Sequence, residues 1–304
     1  MASRDGDQRA GYLVGLIGSG IGTSLTPALH EREADALGVR YLYRILDLDE
    51  LGLSPTAVGD LVTATRLAGY HGLNITHPVK QLVLDHLDDL SPDAAAIGAV
   101  NTVVFSDGQA VGHNTDLTGF AGAFRAGLPD AALDSVVLLG AGGAGSAVAH
   151  ALLALGAGTL HVFDVDPHRG TTLVAGLSAR FGAGRAVPLA DADALARALR
   201  DADGLTHATP TGMAAHPGLP LPAELLRPGL WVADIVYRPL ETELLGVARE
   251  RGCRVLAGGP MAVHQAADAF RIITGREPDV ARMRRHFDTL AHAELVGRQP
   301  HAHH

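Results

Sequence analysis

The sequence predicts an α/β protein of two domains: an N-terminal α/β substrate domain and a Rossmann-type, doubly wound parallel-sheet dinucleotide domain, with C-terminal helices returning to the first. Three observations carry this. Short apolar, β-branched runs alternate with helix-length segments along most of the chain. A G-x-G-x-x-G stretch, Gly140 to Gly145, follows one such run and opens a helical segment. A length of 304 residues suits about two domains, and an apolar content of 47% is enough for two cores. Glycine is abundant, at 37 residues, and aromatics make up only 4%, a pairing that suits many tight strand-to-helix turns.

Composition also excludes function classes. The formal net charge is −9, and no basic block is present, so non-specific nucleic-acid binding is not expected. The single cysteine, Cys253, rules out an internal disulfide. A reducing, cytoplasmic location is expected from it. No apolar run reaches the ~18 residues of a membrane span, so no membrane partner is expected. Met1–Ala10 is polar, lacks a signal-peptide core and reads as a mobile tail.

The elements follow in order. Leu13–Ile17 reads as a strand and Gly18, Gly20 and Gly22 as a loop; Thr26 then caps a helix with Pro27 in its first turn, ending at Gly38. Tyr41–Leu46 reads as a strand, Leu61–Ala68 as a helix, Gly72–Thr76 as a strand and Pro78–Leu87 as a further helix. Val100–Phe105 and Ala110–Gly112 form a hairpin around Asp107-Gly108. A second start comes at Ser135–Leu139, apolar as a buried parallel strand should be. Ser146–Leu155 is helical, Thr159–Phe163 is a strand, and further βα units run through Leu205–Ala208, Trp231–Val236 and Arg254–Leu256. Met261 to about Leu295 reads as one or two helices, and Gln299–His304 as disordered.

Gly140-Ala141-Gly142-Gly143-Ala144-Gly145 has the context a dinucleotide loop needs. The first glycine permits the turn, the second lets backbone approach a pyrophosphate, and the third lets helix pack against strand. Asp164, at the end of the next strand, can accept hydrogen bonds from both ribose hydroxyls of NAD and would repel a 2′-phosphate. Asp166 adds negative charge or caps the helix behind Pro167; Arg169 is the nearest base. NAD is therefore the expected cofactor.

The first half offers no metal-ligand spacing and no nucleophile elbow. The tail histidines His301, His303 and His304 are not expected to make a structural metal site, which needs four well-placed ligands. Polar residues instead gather at strand and loop ends: Asn74-Ile-Thr76-His-Pro78-Val-Lys80, Asn101-Thr102 and Asn114-Thr115-Asp116. Lys80 falls in a first helical turn, where a cation opposes the helix dipole and needs another partner. Asp116 reads on its own as a helix N-cap. Asn101 and Asn114 can equally serve turns, and Tyr237 can equally be a core residue.

With these motifs the sequence resembles the shikimate/quinate dehydrogenase family, over nearly the whole chain. The family order is kept through Ser24-Leu-Thr26-Pro27, Asn74 to Lys80, Gly98-Ala-Val-Asn101-Thr102, Gly112-His-Asn114-Thr115-Asp116, Gly140 to Gly145, Ala208-Thr209-Pro210-Thr-Gly212-Met213, Asp234-Ile-Val-Tyr237-Arg-Pro239, and Gln265 to Phe270 followed by Thr274-Gly275. The resemblance implies that Lys80 and Asp116 flank the reacting hydroxyl. It implies that Ser24 and Thr26 hold the substrate carboxylate, that Thr76, Asn101 and Gln265 hold ring hydroxyls, and that Tyr237 lies near the substrate. Thr209 and Met213, with Met261 nearby, would line the nicotinamide. An ordinary ammonium is a poor base at neutral pH, and a nearby carboxylate favours the charged form, so Lys80 is open as base or as alkoxide stabiliser.

The chain departs from the biosynthetic pattern in three places. Thr26 replaces a second serine, Asp164-Val-Asp166 replaces an Asn-Arg-Thr that reads a 2′-phosphate, and His207 stands where asparagine is common. The first two resemble the NAD-dependent branch that accepts quinate as well as shikimate. The expected division is a substrate domain of 1–117 with 260–304 and a Rossmann domain of 118–259, with the site in the cleft between them. The expected partner is a small acid; apolar patterning does not separate a monomer from a homodimer. The alternatives are an NADP-dependent biosynthetic shikimate dehydrogenase, a dehydrogenase of a related (amino)cyclohexane carboxylate, and a non-catalytic NAD-binding sensor. The presence of both Lys80 and Asp116 argues against the last.

Overall fold

A computed structural model describes Gly11–Gly297. The expectations for the first ten residues, for Gln299–His304 and for the tail histidines lie outside the described residues. The chain runs β1 (Gly11–Gly18), α1 (Thr26–Ala36), β2 (Arg40–Asp47), α2 (Leu48–Leu51), α3 (Val58–Leu67), β3 (Gly72–Ile75), β4 (Asp89–Leu90), α4 (Pro92–Ile97), β5 (Thr102–Ser106), β6 (Gln109–His113) and α5 (Asp116–Gly127). It continues β7 (Ser135–Leu139), α6 (Gly143–Ala154), β8 (Thr159–Phe163), α7 (Pro167–Phe181), β9 (Ala186–Pro188), α8 (Ala192–Asp201), β10 (Gly204–His207), β11 (Trp231–Asp234), α9 (Glu243–Glu250), β12 (Arg254–Leu256), α10 (Gly258–Thr274) and α11 (Val280–Gly297).

Two compact units form. Among the described residues, one comprises 11–90, 100–113 and 266–297; the other comprises Ser91–Ala99 and Asn114–Gln265. The first holds a mixed sheet in the order β2-β1-β3-β5-β6-β4. Strands β1, β2 and β3 are parallel, whereas β3–β5 and β5–β6 are antiparallel. The β5–β6 turn puts Asp107 at φ 52° and Gly108 at φ 77°, the doubly positive geometry that matches strand twist in a two-residue hairpin. One face packs Val14, Val39 and Tyr41 against Ala34, Phe270 and Ile273. Buried Glu33 on α1 accepts two hydrogen bonds from Arg282 on α11, at 2.6 and 2.8 Å, tying the C-terminal helix into this unit.

The second unit holds a fully parallel sheet, β12-β11-β10-β7-β8-β9. Read from β9 this is the doubly wound order of a dinucleotide fold, with its switch point between β7 and β10. Strand β7 is buried on both faces: Val136 and Leu138 join one core, Val137 and Leu139 the other. That is why its run is continuously apolar rather than alternating.

The unit bounds differ from the expected 117/118 and 259/260 cuts, for packing reasons. Phe120, Ala121, Ala123 and Phe124 of α5 join the same core as β7 and α6, and Met261 joins it too. Ile97 and Ala99 pack on Ala147, and Ser146 Oγ donates to the Ile97 carbonyl at 2.8 Å. Residues 91–99, 114–117 and 260–265 therefore belong with the second unit.

Two local readings are corrected. The cap of α1 is Leu25, with Thr26 already helical. No long helix spans Pro78–Leu87: a turn leads into a five-residue 3₁₀ segment, Leu82–His86, in which only Val83 is buried. So little packing does not offset the cost of helix nucleation. Lys80 precedes that segment, and the helix-dipole argument for it falls away. No described helix is long and apolar enough to cross a membrane.

His30 on α1 is fully buried among Tyr41, Tyr43 and Phe270, with Nδ1 3.2 Å from the Tyr41 hydroxyl. Burial lowers its pKa from 6.5 to about 3. Between those values the unfolded chain carries a proton that the folded chain does not, so stability falls as pH falls through this window. The expected slope from His30 is about 1.4 kcal/mol per pH unit. Denaturant titrations between pH 4 and 7 check this: His30→Leu should flatten the dependence, and parallel curves for variant and parent would contradict it.

Candidate active site

In the first unit, the expected substrate residues collect at one end of the sheet. Ser24 follows β1, Thr76 and Lys80 follow β3, and Asn101 directly precedes β5, whose start lies beside the end of β3. Backbone hydrogen bonds fix this end. Thr76 N–H donates to Ile17 O at 2.9 Å, Ile75 N–H to Asn101 O at 2.8 Å, and Val100 N–H to Lys80 O at 2.9 Å. Gly18 is needed here: a Cβ would lie 2.4 Å from Thr76 Cγ2 and 2.9 Å from His77 O. Asn101 is buried, while Ser24, Thr26, Thr76 and Lys80 are half-buried. Ser24 Oγ accepts the N–H of Thr26 at 3.3 Å.

Asp47, absent from the sequence reading of the site, organises the loop that carries Ser24. Its carboxylate accepts the N–H groups of Gly20, Ile21 and Gly22 at 3.1, 2.7 and 3.1 Å, and that of Asp49 at 3.0 Å. Burial pushes this carboxyl up, but these four donors outweigh it and hold it below the usual carboxylate range. The signal was an aspartate closing a strand opposite a glycine-rich loop; its meaning depends on the β1–β2 register, which sets Gly18 against Asp47.

In the second unit, Asp116 is buried as the first residue of α5, a place where the helix dipole favours a carboxylate. Thr115, not Asp116, is the cap. The Asp116 N–H donates to Asn114 Oδ1 at 3.1 Å, and Asn114 Nδ2 donates to Ala99 O at 2.9 Å. Gln265 lies beside this turn: a Cβ on Gly119 would sit 2.8 Å from Gln265 Cβ, and Thr115 Oγ1 lies 3.5 Å from Gln265 Oε1. The fold thus sets Gln265 against the start of α5, the helix that Asp116 opens.

The glycine loop meets each requirement of a dinucleotide cradle. Gly140 has φ +101°, and its Cβ would lie 2.7 Å from Ala208 O across the switch point. A Cβ on Gly142 would meet nothing within 4 Å, leaving open space at the start of α6, which no side chain caps. A Cβ on Gly145 would lie 2.0 Å from Gly140 O. Gly143, Ala144 and Gly145 form the first turn of α6, whose N-terminus suits an anion.

Asp164 Oδ2 accepts the N–H of Ala141 at 2.7 Å, and its Oδ1 accepts the N–H of Asp166 at 2.8 Å. A carboxylate has about four acceptor positions, so two remain for a pair of ribose hydroxyls. Asp166 has the plain role, capping α7 through the His168 N–H at 3.0 Å. Arg169 is 65% exposed and lies 3.6 Å from Asp166. These residues fit a bound dinucleotide.

At the same end of the sheet, Thr209 follows β10 and half-buried Tyr237 follows β11. Met213 is exposed, whereas Met261 is buried in the core on α10. The start of α10 presses on the loop after β11, since a Cβ on Gly258 would lie 2.5 Å from Ile235 O. Sequence reasoning left His207 without a role; it is buried and bonded to Asp234 and Thr209. Among the described residues, no group of three or more His, Cys, Asp or Glu could hold a metal ion.

Comparison with known proteins identifies relatives over most of the chain. Residues 16–103 match a family model described as the shikimate dehydrogenase substrate binding domain, and residues 260–286 match the shikimate 5′-dehydrogenase C-terminal domain. A shikimate dehydrogenase (NADP(+)) of Streptomyces avermitilis is 67% identical over 90% of this chain and 93% of its own length. A quinate/shikimate dehydrogenase (NAD(+)) of Corynebacterium efficiens is 49% identical over 91% of this chain and 98% of its own. The solved quinate dehydrogenase from Corynebacterium glutamicum in complex with NAD superimposes with a TM-score of 0.86 at 46% identity, covering 92% of this chain and all of that one. On these matches the chain belongs to the shikimate/quinate dehydrogenase family of nicotinamide-dependent oxidoreductases.

Proposed function

We propose that this chain is an NAD-dependent dehydrogenase that interconverts quinate with 3-dehydroquinate and shikimate with 3-dehydroshikimate. The secondary alcohol at C3 loses a proton to the protein or solvent and a hydride to the cofactor, giving the ketone. When bound, the nicotinamide supplies the hydride acceptor; the protein supplies orientation and charge management. Lys80 and Asp116 act at the reacting hydroxyl. Ser24 and Thr26 hold the carboxylate, Thr76, Asn101 and Gln265 hold ring hydroxyls, and Tyr237 completes the substrate contacts. Thr209, Met213 and Met261 serve the nicotinamide side.

The observation that carries the choice of NAD is Asp164. Its carboxylate ends β8 and is fastened to the glycine loop through Ala141 at 2.7 Å. A 2′-phosphate on the adenosine ribose would meet this negative charge, and Val165 beside it offers no compensating cation. A second reading, NADP, is favoured by the 67%-identical relative, which is named for that cofactor. Arg169 is the base that would serve it, at the cost of its contact with Asp166.

Steady-state kinetics with each acid and each cofactor decide between the two. A preference for NAD is expected, and a clear preference for NADP overturns the Asp164 argument. Asp164→Ser should lower the ratio of kcat/KM for NAD over NADP by about tenfold or more, the scale of relieving one juxtaposed like-charge pair.

A further inference from the structure

His207 ends β10 and has no exposed surface. Both ring nitrogens are engaged. Nδ1 lies 2.9 Å from Asp234 Oδ1, and Nε2 lies 2.5 Å from Thr209 Oγ1. Strands β10 and β11 are parallel neighbours with His207 opposite Asp234, so the sheet register itself makes the pair. Asp234 accepts two further donors, the Val236 N–H at 3.0 Å and the Thr242 hydroxyl at 2.6 Å. Thr242 Oγ1 in turn accepts the Leu245 N–H at 3.3 Å, capping α9.

A carboxylate only accepts, so Nδ1 carries the proton that faces it. Nε2 is left facing Thr209, whose Oγ1 also accepts the Thr211 N–H at 3.2 Å. The Thr209 hydroxyl is thereby held from two sides just past the end of β10, on the loop that carries Met213. A buried carboxylate and imidazole are costly to desolvate and are offset only by complete bonding. Here the bonding is complete, and the chain of contacts ends at Thr209.

We infer that His207, clamped by Asp234, which Thr242 holds in turn, is a positioning residue that fixes the Thr209 hydroxyl and so orders the nicotinamide end of the bound dinucleotide. The inference rests on the proposed function above. It goes beyond it by giving a role to the one of the three departures from the family pattern that had none.

The test is a binding split. NADH carries the nicotinamide, whereas ADP-ribose stops short of it and reaches only the glycine loop and Asp164. The variants are His207→Ala, His207→Asn and His207→Gln. An Asn amide reaches the Nδ1 position and keeps the Asp234 contact alone; a Gln amide reaches the Nε2 position and keeps the Thr209 contact. Dissociation constants are measured by fluorescence and calorimetry, with a thermal melt of each variant. If the parent prefers NADPH, the pair is NADPH and 2′-phospho-ADP-ribose.

The expected result is that His207→Ala and His207→Asn weaken NADH about tenfold, the scale of one lost buried hydrogen bond, while His207→Gln stays within about twofold and ADP-ribose is unchanged throughout. NADH affinity unchanged in His207→Ala and His207→Asn overturns the inference. So does a parallel loss of ADP-ribose, which would mark a structural role only. If His207→Ala does not fold, the Asn–Gln contrast decides. A parent protein that binds neither NADH nor NADPH overturns the dehydrogenase reading itself, and this inference with it.

Discussion

Lys80→Ala is expected to lower kcat on either acid by about 10²- to 10⁴-fold, the range that a positioned proton-transfer group contributes. The dissociation constant for NADH should stay within about twofold. The two readouts separate because the residues lie in different units. Lys80 belongs to the first, whereas Gly140–Gly145 and Asp164 belong to the second. Truncation should also leave the fold intact. The local backbone is tied through the Lys80 carbonyl to the Val100 N–H at 2.9 Å, a bond that alanine retains, and the side chain is half-buried rather than part of a core. Parent-like turnover in Lys80→Ala would remove this lysine from the chemistry. Loss of NADH binding together with turnover would show that the variant had disturbed more than the reacting centre. A protein that binds NADH but turns over neither acid, even with Lys80 intact, would favour a related cyclohexane carboxylate or a sensing role.

How much of this site could be read from the sequence depends on how local each feature is. The glycine loop was legible because strand, turn and helix follow one another within a few residues, and two of its glycines answer local demands: φ +101° at Gly140, and the approach of Gly145 to Gly140 O. The hairpin at Asp107-Gly108 was legible for the same reason. Asp47 and His207 were not. Each acts across a pair of neighbouring parallel strands, Asp47 on the loop after β1 and His207 on Asp234 of β11, and parallel register is set by packing of distant segments. The unit bounds escaped for a related reason. Residues 91–99 and 114–117 carry substrate-type motifs beside them in sequence, yet Ala99, Ile97 and the apolar face of α5 are buried against α6. The helix expected over Pro78–Leu87 failed because hydrophobic residues alone do not make a buried stripe; only Val83 of the 3₁₀ segment finds a core.

The second large effect is expected at the glycine loop, and it comes as a contrast. Gly145→Ala would put a methyl 2.0 Å from the Gly140 carbonyl, a backbone atom with no side chain to swing aside. The N-terminus of α6 must then move away from β7. Overpacking of this kind typically costs about 1–3 kcal/mol of stability. NADH affinity should fall with it, by about tenfold to a hundredfold, because the helix N–H groups no longer lie where the turn had set them. Gly142→Ala meets nothing within 4 Å, and its backbone, at φ −77°, is open to any residue. It should therefore melt like the parent. Yet the same open space is where a pyrophosphate would need to approach the backbone, so a methyl there should weaken NADH by about tenfold or more. Calorimetric melting and NADH titration of the two variants distinguish packing from ligand contact. Loss of both stability and binding in Gly145→Ala, but of binding alone in Gly142→Ala, is the pattern required if this loop seats the dinucleotide phosphates. Full NADH affinity in Gly142→Ala would place the phosphates elsewhere.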